Sequence, residues 1–250
     1  KDYGRMRTKH GHGEGSSPVL YDDTLIVNWD HEGKSFLLAL DKRTGDQRWK
    51  AERDEPTSWA TPIVVEHEGR PQAIVSGTTR IRAYDLATGD PRWFGPDGGA
   101  GYSSPHLFTI DGVAQILLMS AAGMTSLAPA DGTLLWEHPW PGGIVQPALT
   151  ADGDVLISGS GFTGGNGMRR IAVAHGPGGW TIEERWTSVR LKPYFNDFVV
   201  HEGHAFGFDG RIFACIDVED GKRKWKGGRY GSGQLVLLPD QDLLLVVSEE

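Results

Sequence analysis

The chain has 250 residues, a formal net charge of −8, 35 Gly and 14 Pro. The acidic balance argues against a nucleic-acid or anionic-membrane surface, because both require clustered Lys and Arg. No apolar run approaches the ~18–20 residues of a membrane span, and the single cysteine, Cys215, excludes an intrachain disulfide. The many glycines and prolines favour short strands joined by turns over long helices.

A pair of short apolar segments around a polar turn begins near the N-terminus and then recurs along the chain. The first copy is SSPVLYDDTLIVN, residues 16–28, and later copies occupy residues 60–77, 103–120, 145–159, 196–208 and 233–248. Apolar runs of this length bounded by turn residues are typical of β-strands. Each copy therefore predicts two antiparallel strands joined by a turn.

A second motif follows in phase and ends in tryptophan. It reads ALDKRTGDQRW at 39–49, AYDLATGDPRW at 83–93, SLAPADGTLLW at 126–136 and ACIDVEDGKRKW at 214–225. The Asp-x-x-Thr-Gly segment predicts a tight hairpin, in which Gly89 supplies a positive φ and Asp85 caps backbone amides. We expect the tryptophan to present a flat apolar ring to the neighbouring repeat. The predicted docking residues are Trp49, Trp93, Trp136, Trp186 and Trp225.

The spacing of these tryptophans defines the architecture. They lie 44, 43, 50 and 39 residues apart, and the long interval contains AVAHGPGGW, residues 172–180, interpreted as an enlarged turn. Four antiparallel strands per ~40–45 residues is the period of a β-propeller blade. The sequence predicts one all-β propeller domain over residues 1–250. Its blades are predicted at 16–54, 60–97, 103–140, 145–188 and 197–228, with a partial blade at 233–250.

The motif A-x-D-x-x-T-G-x-x-x-W, preceded by S-S-P-V, resembles the PQQ-like (quinoprotein alcohol dehydrogenase-like) β-propeller repeat. Quinoprotein dehydrogenases carry this repeat, and so does the propeller lipoprotein of the outer-membrane assembly machinery. Propellers of this family have seven or eight blades, so we expect further sequence or a homo-oligomer to complete the ring. The resemblance also implies a periplasmic or otherwise extracytoplasmic location. It is specific for the fold and says little about function.

Two functions are compatible with the resemblance. The first is a non-catalytic scaffold that binds a protein or a peptide, and the alternative is a PQQ- and Ca²⁺-dependent dehydrogenase with its site at the central mouth. The enzymes of the family imply a PQQ held between a tryptophan and a disulfide of adjacent cysteines, and a Ca²⁺ bound by Glu, Asn and Asp. Because Cys215 is the single cysteine, we expect neither cofactor and predict no catalytic residues.

Aligning the copies places aromatic residues at equivalent positions, three residues before the recurrent proline. These residues are Trp59, Tyr102 and Phe195, with Tyr194 beside them. Equivalent positions at the start of the innermost strands would surround the propeller axis, so we predict an aromatic rim at a binding mouth. The alternative is that these rings pack only between blades. The polar residues predicted to join the rim are Gln146, Asn196 and Asp197.

Histidines suggest a second kind of site. His10 and His12 alternate in a Gly-rich segment, so an extended chain would direct both rings to one side as a two-ligand metal site. Three His-Glu-Gly triplets begin at His31, His67 and His201 and are predicted to be solvent-facing turns. Residues 159–164 match G-x-G-x-x-G, but the following segment predicts a strand rather than the helix that a dinucleotide site requires.

Overall fold

The computed structural model describes residues 2–98, 102–142, 144–159 and 165–249. Within these ranges the strands form five four-stranded antiparallel sheets and a sixth sheet of two strands. In every sheet the strands are adjacent in sequence order, which is the arrangement of propeller blades. The structure therefore confirms the predicted all-β propeller class with five complete blades and a partial sixth.

The strand bounds follow the repeat. Sheets one to three contain β1 Val19–Tyr21, β2 Thr24–Trp29, β3 Ser35–Asp41, β4 Gln47–Arg53, β5 Ile63–His67, β6 Arg70–Ser76, β7 Arg80–Asp85, β8 Pro91–Asp97, β9 His106–Ile110, β10 Val113–Met119, β11 Gly123–Leu127 and β12 Leu134–Pro139. Sheets four to six contain β13 Ala148–Leu149, β14 Val155–Gly159, β15 Gly167–Gly176, β16 Gly179–Ser188, β17 Val199–His201, β18 His204–Asp209, β19 Ile212–Asp217, β20 Arg223–Gly227, β21 Gly233–Leu238 and β22 Leu243–Ser248.

Helical structure in the described ranges is restricted to two single 3-10 turns, Lys9–Gly11 and Pro239–Gln241. No helix among the described residues is long and apolar enough to cross a bilayer.

The chain divides into two compact units, each with its own core. The first comprises Lys1–Leu107, Ala114–Ser120 and Thr125–Trp136, and the second comprises Phe108–Val113, Ala121–Met124 and Glu137–Glu250. One core cluster of the first unit contains Ile26, Leu37, Ala39, Trp49, Ala73, Val75, Tyr84 and Leu86. The second unit is centred on Val145, Leu156, Met168, Leu191, Phe198, Ala205, Ala214, Ile216 and Val218.

The Asp-x-x-Thr-Gly turns have the geometry expected from their sequence. In the second sheet, Asp85 Oδ1 accepts hydrogen bonds from the backbone N–H groups of Ala87 at 2.9 Å and Thr88 at 3.2 Å. Gly89 has φ of +80°, a conformation that glycine adopts without steric cost. Side-chain capping and glycine together fix the hairpin between β7 and β8.

The tryptophan of one blade lies against the turn glycine of the following blade. A Cβ placed on Gly89 would lie 2.6 Å from Cε3 of Trp49, and one placed on Gly221 would lie 2.8 Å from Cε3 of Trp186. The Trp49 indole N–H also donates to the Leu86 carbonyl at 2.8 Å. Trp49 is 7% exposed, whereas Trp225, which precedes the two-stranded sheet, is 42% exposed.

The interpretation of residues 172–180 as an enlarged turn was wrong. These residues lie in a long hairpin, in which β15 and β16 each have ten residues and pair from Met168–Ser188 to Gly176–Gly179. The Gly and Pro residues of this segment occupy only its tip. The additional length of the fourth repeat therefore extends the strands instead of the turn.

Candidate functional site

One face of the two-stranded sheet exposes a row of apolar side chains. The register pairs Val236 with Leu245, Leu238 with Leu243 and Gln234 with Val247, which places these side chains on one face. The exposed fractions of the five apolar residues are 55% for Val236, 39% for Leu238, 56% for Leu243, 56% for Leu245 and 65% for Val247. We refer to these five residues as the apolar face.

The opposite face of the same sheet is turned towards the protein. Leu235 is 7% exposed, and Leu237, Leu244 and Val246 are half-buried. Strands that are apolar on both faces are typical of sheets covered on both sides. The apolar residues of β21 and β22 thus favour a packing contact on the face that the described residues leave uncovered.

A cleft lies beside this sheet and contains part of the predicted rim. It has a volume of about 390 Å³. Tyr194 and Phe195 meet edge to face with ring centroids 4.3 Å apart, and Phe195 is 41% exposed. The lining residues are Tyr194, Phe195, Asn196, Ser232, Gly233, Gln234, Val247, Ser248 and Glu249. Because Val247 belongs to both, the cleft and the apolar face form one continuous surface.

The polar rim residues of the second unit are positioned by hydrogen bonds. The Asn196 side chain is buried and donates to the Gly233 carbonyl, which links it to β21. Asp197 accepts from the backbone N–H and from the side-chain amide of Gln146, both at 3.3 Å. Burial raises the pKa of the Asp197 carboxyl above its ordinary value, and the hydrogen bond from the Gln146 backbone acts in the opposite direction.

The rim residues of the first unit form a ladder of rings with the N-terminal histidines. Trp59 stacks on Tyr102 at 4.7 Å, His12 lies 6.3 Å from Trp59, and His10 lies 5.6 Å from His12. The Trp59 indole N–H donates to the Gly13 carbonyl at 2.9 Å. The structure thus brings Trp59 and Tyr102 together in one unit, while Gln146 and residues 194–197 belong to the other.

The histidine segment is not extended as expected. His10 lies in a 3-10 turn with φ of +57°, although its ring remains close to that of His12. Among the described residues, no third His, Cys, Asp or Glu joins these two histidines into a metal-binding group. A metal site at His10 and His12 stays a prediction.

The histidine of one of the three His-Glu-Gly triplets is buried. His31 is 9% exposed, its Nδ1 accepts from the Arg7 backbone N–H at 3.2 Å, and its Nε2 lies 3.2 Å from the Lys34 carbonyl. The expectation of a solvent-facing residue was wrong at His31, because the backbone of Arg7 and the Lys34 carbonyl hold its ring, whereas Glu32 and Gly33 are exposed. Residues 160–164 of the G-x-G-x-x-G segment lie outside the described residues, and Gly167–Gly176 after them is a strand.

The residues present do not fit the quinone site of the family's enzymes. Cys215 is 1% exposed in β19, and burial raises the pKa of its thiol to about 11. A pair of adjacent cysteines is absent from the sequence. Among the described residues, the one group of three potential metal ligands is His201, Glu202 and Asp242, which contains an imidazole and lies at the end of β17 and in two turns.

The sheets, the tryptophan–glycine contacts and the repeat period define a propeller repeat protein of the PQQ-like class. A family model described as "Outer membrane protein assembly factor BamB" matches residues 3–227. The chain therefore belongs to this PQQ-like propeller family. No curated protein matches the sequence.

Solved structures support the same fold. A europium-containing methanol dehydrogenase matches with a TM-score of 0.63 and 13% identity over 93% of this chain and 64% of that one. BamB from Moraxella catarrhalis matches with a TM-score of 0.52 and 16% identity over 94% and 80%. The quinohemoprotein alcohol dehydrogenase from Comamonas testosteroni gives 0.59 and 15% over 88% and 43%. The chain thus spans less than two thirds of either dehydrogenase.

The apolar face was not predicted, although the sequence contains a signal for it. Residues 235–238 and 243–247 are apolar at odd and even positions alike, whereas a strand with one wet face alternates. The same sequence also fits a buried strand with both faces covered by neighbouring blades. Only the structure shows which face the described residues leave uncovered.

Proposed function

We propose that the protein is a non-catalytic propeller scaffold that binds an extended segment of a partner protein along β22 and in the adjoining cleft. The apolar face carries this proposal. Contiguous exposed apolar patches are uncommon on soluble proteins and mark interaction sites. The five side chains lie on adjacent strands, so they form one patch and not scattered surface residues.

The edge of β22 supports an extended partner. Within the described residues β22 pairs with β21 on one side, and no strand occupies its other edge. An open edge presents backbone N–H and C=O groups that an added strand can pair with, while alternate side chains of that strand contact the flanking surface. The partner would thus bind through its backbone and through every second side chain.

The cleft defines the chemistry of the bound segment. Aromatic rings of Tyr194 and Phe195 suit an apolar side chain, and the amide of Gln234 and the hydroxyl of Ser232 suit backbone groups. Glu249 lines the same cleft, and the chain carries a net charge of −8. Charge complementarity therefore favours an apolar segment flanked by Lys or Arg.

Family membership supports a scaffold role and an extracytoplasmic location as parts of this proposal. The matching family is described as an outer-membrane assembly factor. The alternative is a PQQ- and Ca²⁺-dependent dehydrogenase, and the absent cysteine pair argues against it. We propose further that Trp49, Trp93, Trp136, Trp186 and Trp225 are blade-docking residues without a catalytic role.

A synthetic peptide of alternating Val and Thr with a Lys at each end tests the proposal. We expect saturable binding to the wild-type protein, measured by fluorescence anisotropy, and a loss of binding when a central Val is replaced by Pro, which cannot pair in the sheet. Leu245→Asp is expected to abolish binding. Leu20→Asp is the matched control, because Leu20 is also 56% exposed on a strand but lies in the first sheet.

Three outcomes would overturn the proposal. They are equal peptide binding by wild type and Leu245→Asp, a dimer in solution that Leu245→Asp converts to monomer, and a quinone absorbance band with a higher melting temperature on adding PQQ with Ca²⁺. The second would assign the apolar face to another copy of the chain. The third would favour the dehydrogenase.

A further inference from the structure

A cluster of three potential metal ligands lies where two turns of the second unit meet. His201 ends β17, Glu202 follows it in the turn before β18, and Asp242 precedes β22. One ligand atom of each residue lies within 4.8 Å of the other two, and His201 Nε2 is 2.8 Å from Asp242 Oδ1. Residues 41 positions apart in sequence thus converge on one point.

The charges in this cluster are not balanced by basic side chains. Among the described residues neither Glu202 nor Asp242 forms an ion pair with Lys or Arg, and the Asp242 carboxylate pairs with His201. Nearby carboxylates differ, because Asp152 and Glu219 pair with Arg170, and Asp217 pairs with Lys224. Two carboxylates without a Lys or Arg partner beside an imidazole make a favourable place for a cation.

A groove gives access to this cluster. It has a volume of about 610 Å³, and His201 and Glu202 form part of its lining. The carboxylates of Asp152, Asp217 and Glu219 line the same groove. Because Arg170 and Lys224 pair with these three carboxylates, the groove supplies open space beside the cluster, and the negative charge for an ion comes from Glu202 and Asp242.

The ligand set indicates the class of ion. One imidazole nitrogen and two carboxylate oxygens suit a divalent first-row transition metal, whereas Ca²⁺ and Mg²⁺ prefer oxygen ligands alone. Zn²⁺ binds such ligands at about 2.0–2.2 Å. The side chain of Glu202 is exposed and can move to close this distance, and water would complete the coordination.

We propose that His201, Glu202 and Asp242 bind a divalent transition metal ion, for which Zn²⁺ is the probe. The ion would join the turn between β17 and β18 to the start of β22. Since it binds the folded state, it would stabilise the two-stranded sheet by mass action. This proposal does not depend on peptide binding at the apolar face.

Titration calorimetry with Zn²⁺, together with the melting temperature, tests the site. We expect one ion per chain and a melting temperature that rises with Zn²⁺ concentration. His201→Ala and Asp242→Asn each remove one ligand. Each should weaken Zn²⁺ binding at least about tenfold, since even the loss of an outer-shell partner weakens metal binding by roughly 10–100-fold. Co²⁺ should give a visible absorption band in the wild type that both variants lose.

The second His-Glu-Gly triplet provides the matched control. His67 ends β5 and Glu68 follows it in the equivalent turn before β6 with a positive φ, but among the described residues no third ligand joins them. His67→Ala should therefore leave Zn²⁺ affinity unchanged. The proposal is overturned if the wild type does not bind Zn²⁺, or if His10→Ala and His12→Ala remove binding while His201→Ala does not.

Discussion

The indole ring of Trp49 lies directly against Gly89, the turn glycine of the next blade. A Cβ at position 89 would lie 2.6 Å from Cε3 of the ring, which is closer than side-chain atoms approach. Trp49 also donates to the carbonyl of Leu86 in the same turn at 2.8 Å. Glycine at this position of the repeat therefore serves two purposes: it adopts the positive φ of the turn, and it leaves room for the tryptophan of the preceding blade.

Replacing this glycine should cost more than the backbone conformation alone explains. Gly89→Ala is expected to lower the free energy of unfolding by about 1 kcal/mol for the positive φ, and by a further ~1–3 kcal/mol because the ring must shift. Urea unfolding followed by circular dichroism measures the loss.

Gly45→Ala separates the two contributions. Gly45 occupies the same position in the first blade with φ of +71°, and nothing lies within 4 Å of a Cβ placed there. This variant should lose only about 1 kcal/mol. Equal losses in the two variants would contradict a contribution from the tryptophan contact.

The first unit contains a buried ion pair, and we expect the fold to be sensitive to the loss of either partner. Arg53 Nε and Nη2 donate to the two oxygens of Asp30 at 2.7 and 2.9 Å, and both side chains are fully buried. Arg53 also donates to the Tyr84 hydroxyl at 2.9 Å. Burial alone would lower the pKa of Arg53, but the carboxylate of Asp30 more than offsets it and the pKa is raised.

Removing one partner leaves a buried charge without compensation. Asp30→Asn should reduce the free energy of unfolding by about 3–5 kcal/mol, and the additional change Arg53→Met should restore part of that loss. The exposed pair of Lys50 and Glu52, 3.0 Å apart, is the control, and Glu52→Gln should cost less than about 1 kcal/mol. Asp30 and Arg53 would not be coupled if the Asp30→Asn/Arg53→Met double variant lost as much unfolding free energy as the two single variants lose together.

The fold could be predicted from the sequence because the residues that form each blade recur as a short motif within that blade. Asp85 and Gly89 define a turn within a few residues, and the tryptophan follows at a fixed distance. The long fourth hairpin was mistaken because Pro177 and its neighbouring glycines resemble a loop. In the structure they form only the tip between β15 and β16.

The candidate sites were harder to predict because they depend on contacts between repeats. His201 and Asp242 lie 41 residues apart, and His201 begins the same His-Glu-Gly triplet as His67, which meets no third ligand in the part of the chain that the structure describes. Apolar residues at both odd and even positions of β22 likewise predict that both faces of the strand are covered, but they do not tell what covers each face. Alignment of the repeats placed Trp59 and Tyr102 at equivalent positions, and the structure stacks their rings at 4.7 Å. The binding rim itself stays a prediction.

The raised pKa of Asp197 predicts a pH-dependent stability. A carboxyl whose folded-state pKa lies above its unfolded value stabilises the fold below about pH 3.9, and this contribution is lost as pH rises through the folded-state pKa. Asp197→Asn keeps the shape and removes the titration. The variant should match the wild type near pH 3.5 and exceed it in free energy of unfolding at pH 7. A difference that stays constant from pH 3.5 to 7 would contradict burial as the cause.

The exposure of the motif tryptophans predicts an uneven contribution to stability. Trp93 is 6% exposed, its N–H donates to Gln72 Oε1 at 3.1 Å, and its ring lies against Gly132. Trp93→Ala should therefore reduce the free energy of unfolding by about 3–5 kcal/mol, as expected for truncating a buried aromatic side chain. Trp225 ends the equivalent motif of the fifth blade but is 42% exposed, with Phe206 and Phe213 as its ring neighbours.

Trp225→Ala should cost only about 1 kcal/mol, because much of the ring is already in contact with water. Urea unfolding of both variants under one set of conditions provides the comparison. Similar losses would show that Trp225 is covered in solution by a surface that the described residues do not supply. A small loss of unfolding free energy in Trp225→Ala and a large loss in Trp93→Ala would support the prediction. The tryptophan would then stabilise a blade mainly where its ring packs against the turn glycine of the next blade.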